Sequence, residues 1–283
     1  MKKKIISVLF VVLICVLLII GVKRNHQSMK QQEKEYGVFL SITDEDHQWQ
    51  KKLQGYQTIV IDAQNFSKKE VQWIKAHNEQ VLSYINLGAI ENFRPYYKKY
   101  QKLTFAPYEN WEEERWVNVN HQSWQSFIET KLVPLLLQKG IDGFFVDNLD
   151  VFDQLKGTLE TYNSLKKMLE VLRENQRPVL INGADTFVSE CMNKEGNKVN
   201  HFFSGINQET VLTAIDFDKQ QLKAQTKKEF SFYNHYLKTV KQHHLQVYLL
   251  EYTTDKKLAE RIKAYCQKNN YHYYLSDSIE LDG

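Results

Sequence analysis

Short apolar, β-branched or aromatic runs recur along the chain from Tyr36 onward. They are Gly37-Val-Phe-Leu-Ser-Ile42, Thr58-Ile-Val-Ile-Asp62, Val81-Leu-Ser-Tyr-Ile-Asn86, Trp116-Val-Asn-Val119, Gly143-Phe-Phe-Val-Asp147, Pro178-Val-Leu-Ile-Asn182, Phe202 to Glu209, Val247-Tyr-Leu-Leu-Glu-Tyr252 and Tyr271-His-Tyr-Tyr-Leu275. Several are apolar throughout instead of alternating, the pattern of parallel strands covered on both faces. Between them lie segments with helical spacing. Ser67 is placed to cap Lys68 to His77, and Ser123 to Lys139 puts Trp124, Phe127, Ile128, Leu132, Leu135 and Leu136 near one face. Leu159 to Arg173, Phe230 to His243 and Asp255 to Lys268 follow the same logic.

Strand then helix, repeated over about 250 residues, predicts an α/β fold of the (β/α)8 TIM-barrel type. Nine runs are one too many for eight strands, so either Trp116–Val119 is a loop strand or a terminal run lies outside the barrel. A doubly wound open sheet is the alternative. It would normally carry a Gly-x-Gly-x-x-Gly turn, which the sequence lacks.

The N-terminus follows a different pattern. Met1-Lys2-Lys3-Lys4 is basic, Ile5 to Val22 is an uncharged run of eighteen residues, and Lys23-Arg24 ends it. At about 1.5 Å per residue such a helix reaches roughly 27 Å, close to the thickness of a hydrocarbon core. Residues 1–24 are therefore expected to be a membrane anchor or a cleaved signal, oriented with the chain's bulk outside. Residues 25–35 read as a polar stalk, and 36–283 as a single barrel domain. The anchor changes the meaning of the charge. The whole chain carries 37 Lys+Arg against 34 Asp+Glu, but five of those cations flank the apolar run, which leaves −2 for residues 25–283. A mildly acidic domain gives no case for a nucleic-acid partner. Nothing fixes an oligomeric state. Cys15 falls within the apolar run, and Cys191 and Cys266 do not make a disulfide framework.

In parallel α/β folds the chemistry sits at the carboxyl ends of the strands. Those ends carry Asp62, Asn86, Asp147, Asn148, Asp150, Asn182, Glu209, Glu251 and Tyr252. The densest segment is Gly140-Ile-Asp-Gly-Phe-Phe-Val-Asp-Asn-Leu-Asp150, where Asp150 either joins Asp147 in a site or caps the next helix.

Val81-Leu-Ser-Tyr-Ile-Asn-Leu-Gly88, Glu91-Asn-Phe-Arg94 with Tyr97, Trp111 to Val119, the Gly140–Asp150 block, Ile181-Asn182-Gly183, Gly205-Ile-Asn-Gln-Glu209 and Leu250-Glu-Tyr252 stand in an order that resembles glycoside hydrolase family 114. That is the endo-α-1,4-polygalactosaminidase-like group of barrels, and the resemblance spans about residues 36–276. It implies hydrolysis of a polysaccharide containing α-1,4-linked galactosamine, with Asp147 and Glu209 as the catalytic pair. Cleaving a glycosidic bond needs one carboxylic acid for the leaving oxygen and one carboxylate as nucleophile or base, so a pair is chemically apt. Asp147 is assigned nucleophile or base and Glu209 acid, with exchange of the two and either stereochemical course left open. Asp62, Tyr84, Asn86, Asn148, Asp150, Asn182, Glu251 and Tyr252 would line the sugar site. Two positions depart from the family pattern. Ala89 stands where Glu often follows the glycine, and Asn118 where the fourth run often ends in Asp, so the cleft loses negative charge and the substrate preference is open.

Neither a metal nor another cofactor is expected. His243-His244 are adjacent and would point apart on a helix, and no His-x-x-x-His or Cys-x-x-Cys is present. The two readings are an extracellular glycosidase acting on a polysaccharide and a non-catalytic glycan-binding barrel at the cell surface.

Overall fold

The computed structural model describes residues 34–109 and 111–283. The predicted anchor or signal and nearly all of the stalk lie outside the described residues. Among the described residues no helix is long and apolar enough to cross a membrane. Glu35–Gly283 form one compact unit.

Eight strands form one sheet: β1 (Lys34–Phe39), β2 (Tyr56–Ile61), β3 (Gln80–Asn86), β4 (Gly143–Asp147), β5 (Val179–Asn182), β6 (Gly205–Glu209), β7 (Gln246–Tyr252) and β8 (His272–Ser276). They lie side by side in chain order, and every adjacent pair from β2 to β8 is parallel. Side chains of the first and last strands then meet. The Phe39 and Tyr274 rings are 5.4 Å apart, and His272 Nδ1 lies 2.7 Å from Glu35 Oε1. The result is a nearly closed barrel. A doubly wound sheet would reverse its strand order at a switch point, and this one does not.

The ninth run is a loop strand. Glu114–Val117 lies between β3 and β4 in a separate antiparallel sheet with Ala89–Glu91 and Thr104–Pro107. Two helices also differ from expectation. The stretch Ser123–Lys139 begins at Gln122 and is α-helical to Phe127, π-helical over Ile128–Leu132 and α-helical again to Lys139. Pro134 at the start of the last segment has no N–H to donate to the turn before it, which accounts for the break in the ladder. The helix Asp185–Glu195 was not expected at all. It buries Phe187, Val188, Cys191 and Met192, a short apolar stripe split by polar residues. Other signals hold as read. Ser67 and Glu70 form a reciprocal capping box, and Gly140 ends its helix at φ +103°.

Strand alternation sorts the core into two layers. Val38, Val60, Leu82, Phe145, Leu180 and Leu250 pack together inside the barrel. Their neighbours in sequence, such as Ile59, Val81, Phe144, Val146, Ile181 and Leu249, pack outward against the helices. Both faces are dry, so the strands read as unbroken apolar runs. Cys191 and Cys266 are buried and free.

Candidate active site

The same alternation builds the site. Continuing each inward row to the strand end brings Asp62, Tyr84 and Asn86, Asp147, Asn182, Glu209 and Tyr252 to the mouth of the barrel. Asn86 is in register with Asp147, and Asn182 with Asn207.

Asn182 holds the centre. Its Nδ2 donates to Asp147 Oδ1 at 3.0 Å and to Glu209 Oε1 at 2.8 Å. The two carboxylate oxygens are therefore no farther apart than the sum of those distances. Asn182 Oδ1 accepts from Asn207 Nδ2 at 2.7 Å, and Asn207 Oδ1 accepts from the Tyr36 hydroxyl at 3.0 Å. This buried relay fixes which way the Asn182 amide faces. Asp147 Oδ1 also accepts from the Asn148 backbone N–H at 3.0 Å, while Tyr252 donates to Glu209 Oε2 at 2.6 Å. The partners of both acids are thus amides, a backbone N–H and a phenol, not cations.

Asn148 turns the chain out of β4 with φ +61°, and its Nδ2 donates to Glu114 Oε2 at 2.9 Å. Gly88 permits this turn, since a Cβ there would sit 1.8 Å from the Asn148 carbonyl oxygen. Asn86 donates to the same Glu114 oxygen at 3.4 Å and accepts from Ala89 N at 2.7 Å. Glu114 is therefore a third carboxyl of the site, directly opposite Glu91 in the antiparallel sheet. Sequence reasoning missed it because Glu112-Glu113-Glu114 reads as a solvated charge run. Asn207, also missed, had a signal: it precedes Glu209 by two residues and so shares its face. Glu114 and Glu91 place carboxyl groups beside the site despite Ala89 and Asn118, although Glu91 is paired with Arg94.

The other expected lining residues divide. Tyr84 is buried inside the barrel beside Arg94, and burial holds its phenol well above the usual range, with Glu91, Asp147 and Glu114 adding to the effect. Asp150 does not cap the following helix through its side chain. Burial next to Asp185 raises its pKa to about 6. Asp62 lies at the mouth, but its Oδ2 is taken by Arg94 at 2.7 Å, and Arg94 also binds Glu91 at 2.9 Å. Glu251, expected among the lining residues, does not face the mouth of the barrel. It has the outward parity of Leu249, is fully buried, and accepts from Leu212 N (2.9 Å), Thr213 N (2.9 Å) and Thr213 Oγ1 (2.5 Å). A one-residue step along a strand turns a side chain to the opposite face, so a strand-end reading that took both Glu251 and Tyr252 could place only one of them inside. Glu251 instead anchors the loop that follows Glu209.

Burial pushes Asp147 up to about 7, and the charge of Glu209 adds to this against the pull of the Asn182 and Asn148 donors. Burial, then Glu91 and Asp147, push Glu114 up to about 8. Such shifts cost stability. The folded-state pKa of Asp147 lies above its unfolded value, so the folded protein loses stability as pH rises from about 4 through 7. Asp147→Asn removes that penalty. Discounted for partial exposure, it is expected to add about 2 kcal/mol, roughly 5 °C in melting temperature, at pH 8 and close to nothing at pH 4. Thermal melts of both proteins at the two pH values check this, and an equal shift at both would refute it.

Among the described residues no group of three or more His, Cys, Asp or Glu is arranged to hold a metal. What the arrangement offers is two bridged carboxyls at the mouth of a barrel, with a third beside them. Solved structures share the fold. The glycoside hydrolase domain of PelA from Pseudomonas aeruginosa superposes with a TM-score of 0.72 at 15% identity, covering 88% of this chain and 96% of that one. Ega3 from Aspergillus fumigatus, solved in complex with galactosamine, gives 0.66 at 14% identity, covering 88% and 93%. The α-galactosidase TtGalA from Thermus thermophilus gives 0.54 at 11%, covering 85% and 57%. No curated protein sequence matches the chain. Residues 23–281 match the glycoside-hydrolase family GH114, and with nearly the whole described barrel inside that match the chain belongs to this family and is a glycoside hydrolase.

Proposed function

We propose that the protein hydrolyses an α-1,4-linked, galactosamine-containing polysaccharide outside the cytoplasm, with retention of configuration. The observation that carries the reading is the Asn182 bridge. Retaining pairs stand about 5–5.5 Å apart and inverting pairs about 6.5–9.5 Å. Two hydrogen bonds of 3.0 and 2.8 Å to one nitrogen hold the bridged oxygens within the sum of those distances, which is below the inverting range and supports the retaining course.

Asp147 is the nucleophile. Both of the hydrogen bonds that hold it, from Asn148 N and Asn182 Nδ2, go to Oδ1, and the attacking oxygen in this reading is Oδ2. In the first step Oδ2 bonds to the anomeric carbon as the glycosidic C–O bond breaks and Glu209 gives its proton to the leaving oxygen. In the second, water gives a proton to Glu209, its oxygen bonds to the anomeric carbon, and the ester to Asp147 breaks. Tyr252 holds Glu209 in place through both steps.

Galactosamine is supported by the neighbour solved with that sugar and by the local charge. Glu114 and Asp147 lie together with no cation on either. An ammonium entering there favours their ionised forms, so the substrate itself helps strip the proton from the nucleophile. The N-terminal apolar run supports a location outside the cytoplasm.

The test is to incubate the full chain with α-1,4-galactosamine polymer, de-N-acetylated or N-acetylated, and follow the new reducing ends by proton NMR. The α-anomer is expected first, and faster from the de-N-acetylated polymer. The β-anomer first would overturn retention, and no release from either polymer would overturn the hydrolase on this substrate.

A further inference from the structure

The turn that delivers Glu114 also carries Trp111: Tyr108 N donates to Glu114 O at 3.0 Å, and Glu114 N to Trp111 O at 3.0 Å. Trp111 reaches a groove of about 630 Å³ whose other walls are the hairpin Thr213–Asp216/Gln221–Ala224 and the segment after β8. The hairpin begins four residues beyond Glu209, and Glu251 clamps its first residues. Loops after β3, β6 and β8 therefore enclose one space at the mouth of the barrel. Its floor is continuous with the interior, because Ile215, Leu222 and Ile279 pack against the cluster that includes Tyr252.

The groove has a consistent chemistry. Trp111 is 38% exposed and Phe217 40%, whereas Trp116 in the same small sheet is 5% exposed. Asp218, Asp277 and Glu280 also line it, while its described lining residues include no Lys, Arg or His. Lys219, next to Asp218 in the turn, is not part of the lining. Large aromatics left open beside carboxylates suit an apolar sugar face that carries an ammonium group, since a cation over an aromatic ring and a carboxylate nearby act in the same direction.

We propose that this groove is a second sugar-binding region, taking further units of the same cationic chain whose scissile bond lies between Asp147 and Glu209. Trp111 and Phe217 stack on the sugars, and Asp218, Asp277 and Glu280 face their ammonium groups. The assignment rests on the galactosamine-polymer reading above. It makes affinity grow with chain length beyond what the catalytic pocket alone supports.

The experiment is calorimetric binding of α-1,4-galactosamine dimer and octamer to the full-length Glu209→Gln variant, with and without Trp111→Ala and Phe217→Ala. The octamer is expected to bind at least tenfold more tightly than the dimer. The aromatic substitutions remove most of that advantage and leave the dimer unchanged. Quenching of indole fluorescence by the octamer, lost in Trp111→Ala, reports the same contact independently. Equal affinities for dimer and octamer, or an advantage that survives both substitutions, would overturn the groove while the hydrolase reading stands. Octamer binding that depends on Trp111 in a wild-type chain releasing no reducing ends would support the groove and sink the hydrolase reading. Binding of neither oligomer would end both.

Discussion

Asp147→Asn and Glu209→Gln each strongly reduce release of reducing ends from the galactosamine polymer, and by different amounts. Asp147→Asn lowers kcat on the order of 10⁵-fold, because no other group can form the covalent intermediate. Glu209→Gln lowers it about 10²–10⁴-fold, the usual share of a proton-transferring group. The two losses differ in kind, and this separates the roles. An aryl galactosaminide has a leaving group that departs without a proton, so Glu209→Ala still forms the ester to Asp147 and then stalls. Azide releases that ester and yields the α-glycosyl azide, with a burst of phenol beforehand. Asp147→Ala gives no burst, and any azide product it forms is the β-anomer, from direct attack on the substrate. Product NMR and burst kinetics check both. An α-azide from Asp147→Ala would exchange the roles, and full activity in either variant would remove that residue from the mechanism.

The barrel could be read from the chain because its strands are dry on both faces and its helices carry single apolar stripes. The ninth run, Trp116–Val119, could be narrowed only to a loop strand or a terminal run as the extra one, and the structure makes it the loop strand. A strand that packs one side of a small excursion sheet has the same local composition as a short barrel strand. Within the site, Asp147 and Asn182 were legible because each is the first polar residue to interrupt an inward row, and Glu209 because it ends its row at the strand's carboxyl end, two residues after Asn207. Glu251 and Tyr252 show the limit of that rule. Both end β7, and only the parity set by Leu250 sends Tyr252 to Glu209 and Glu251 to the loop behind it. Asp62 lies at the mouth as its parity implies, but its ion pair with Arg94 depends on a turn thirty-two residues away. Glu114 was out of reach for the same reason. Its neighbours Asn86 and Asn148 lie twenty-eight and thirty-four residues from it, and no local pattern distinguishes it from Glu112 and Glu113.

Asn182→Ala is expected to be nearly as damaging as loss of an acid, although Asn182 transfers no proton and forms no bond to the sugar. Its amide is the shared donor that lets two carboxyls stand this close. Removing a preorganised donor of this kind typically costs about 10²–10³ in kcat. The signature lies in the pH profile. The Asn182 bond lowers the proton affinity of Asp147 while burial and Glu209 raise it to about 7. Without the bond the pKa of Asp147 moves higher still. Asp147 must be ionised to attack, so the rising limb of kcat/KM moves to higher pH in the variant. A general loss of structure would lower the whole profile and leave the limb where it was. Tyr36→Phe probes the same relay one step back. It frees the Asn207 amide to turn and with it Asn182, so a smaller shift in the same direction is expected. Profiles of the three proteins between pH 5 and 9 decide the matter. An unmoved limb in Asn182→Ala would show that the bridge is scaffolding alone. A shift graded from wild type through Tyr36→Phe to Asn182→Ala would show that one hydrogen-bonded chain, from the barrel interior to its mouth, sets the charge of the nucleophile.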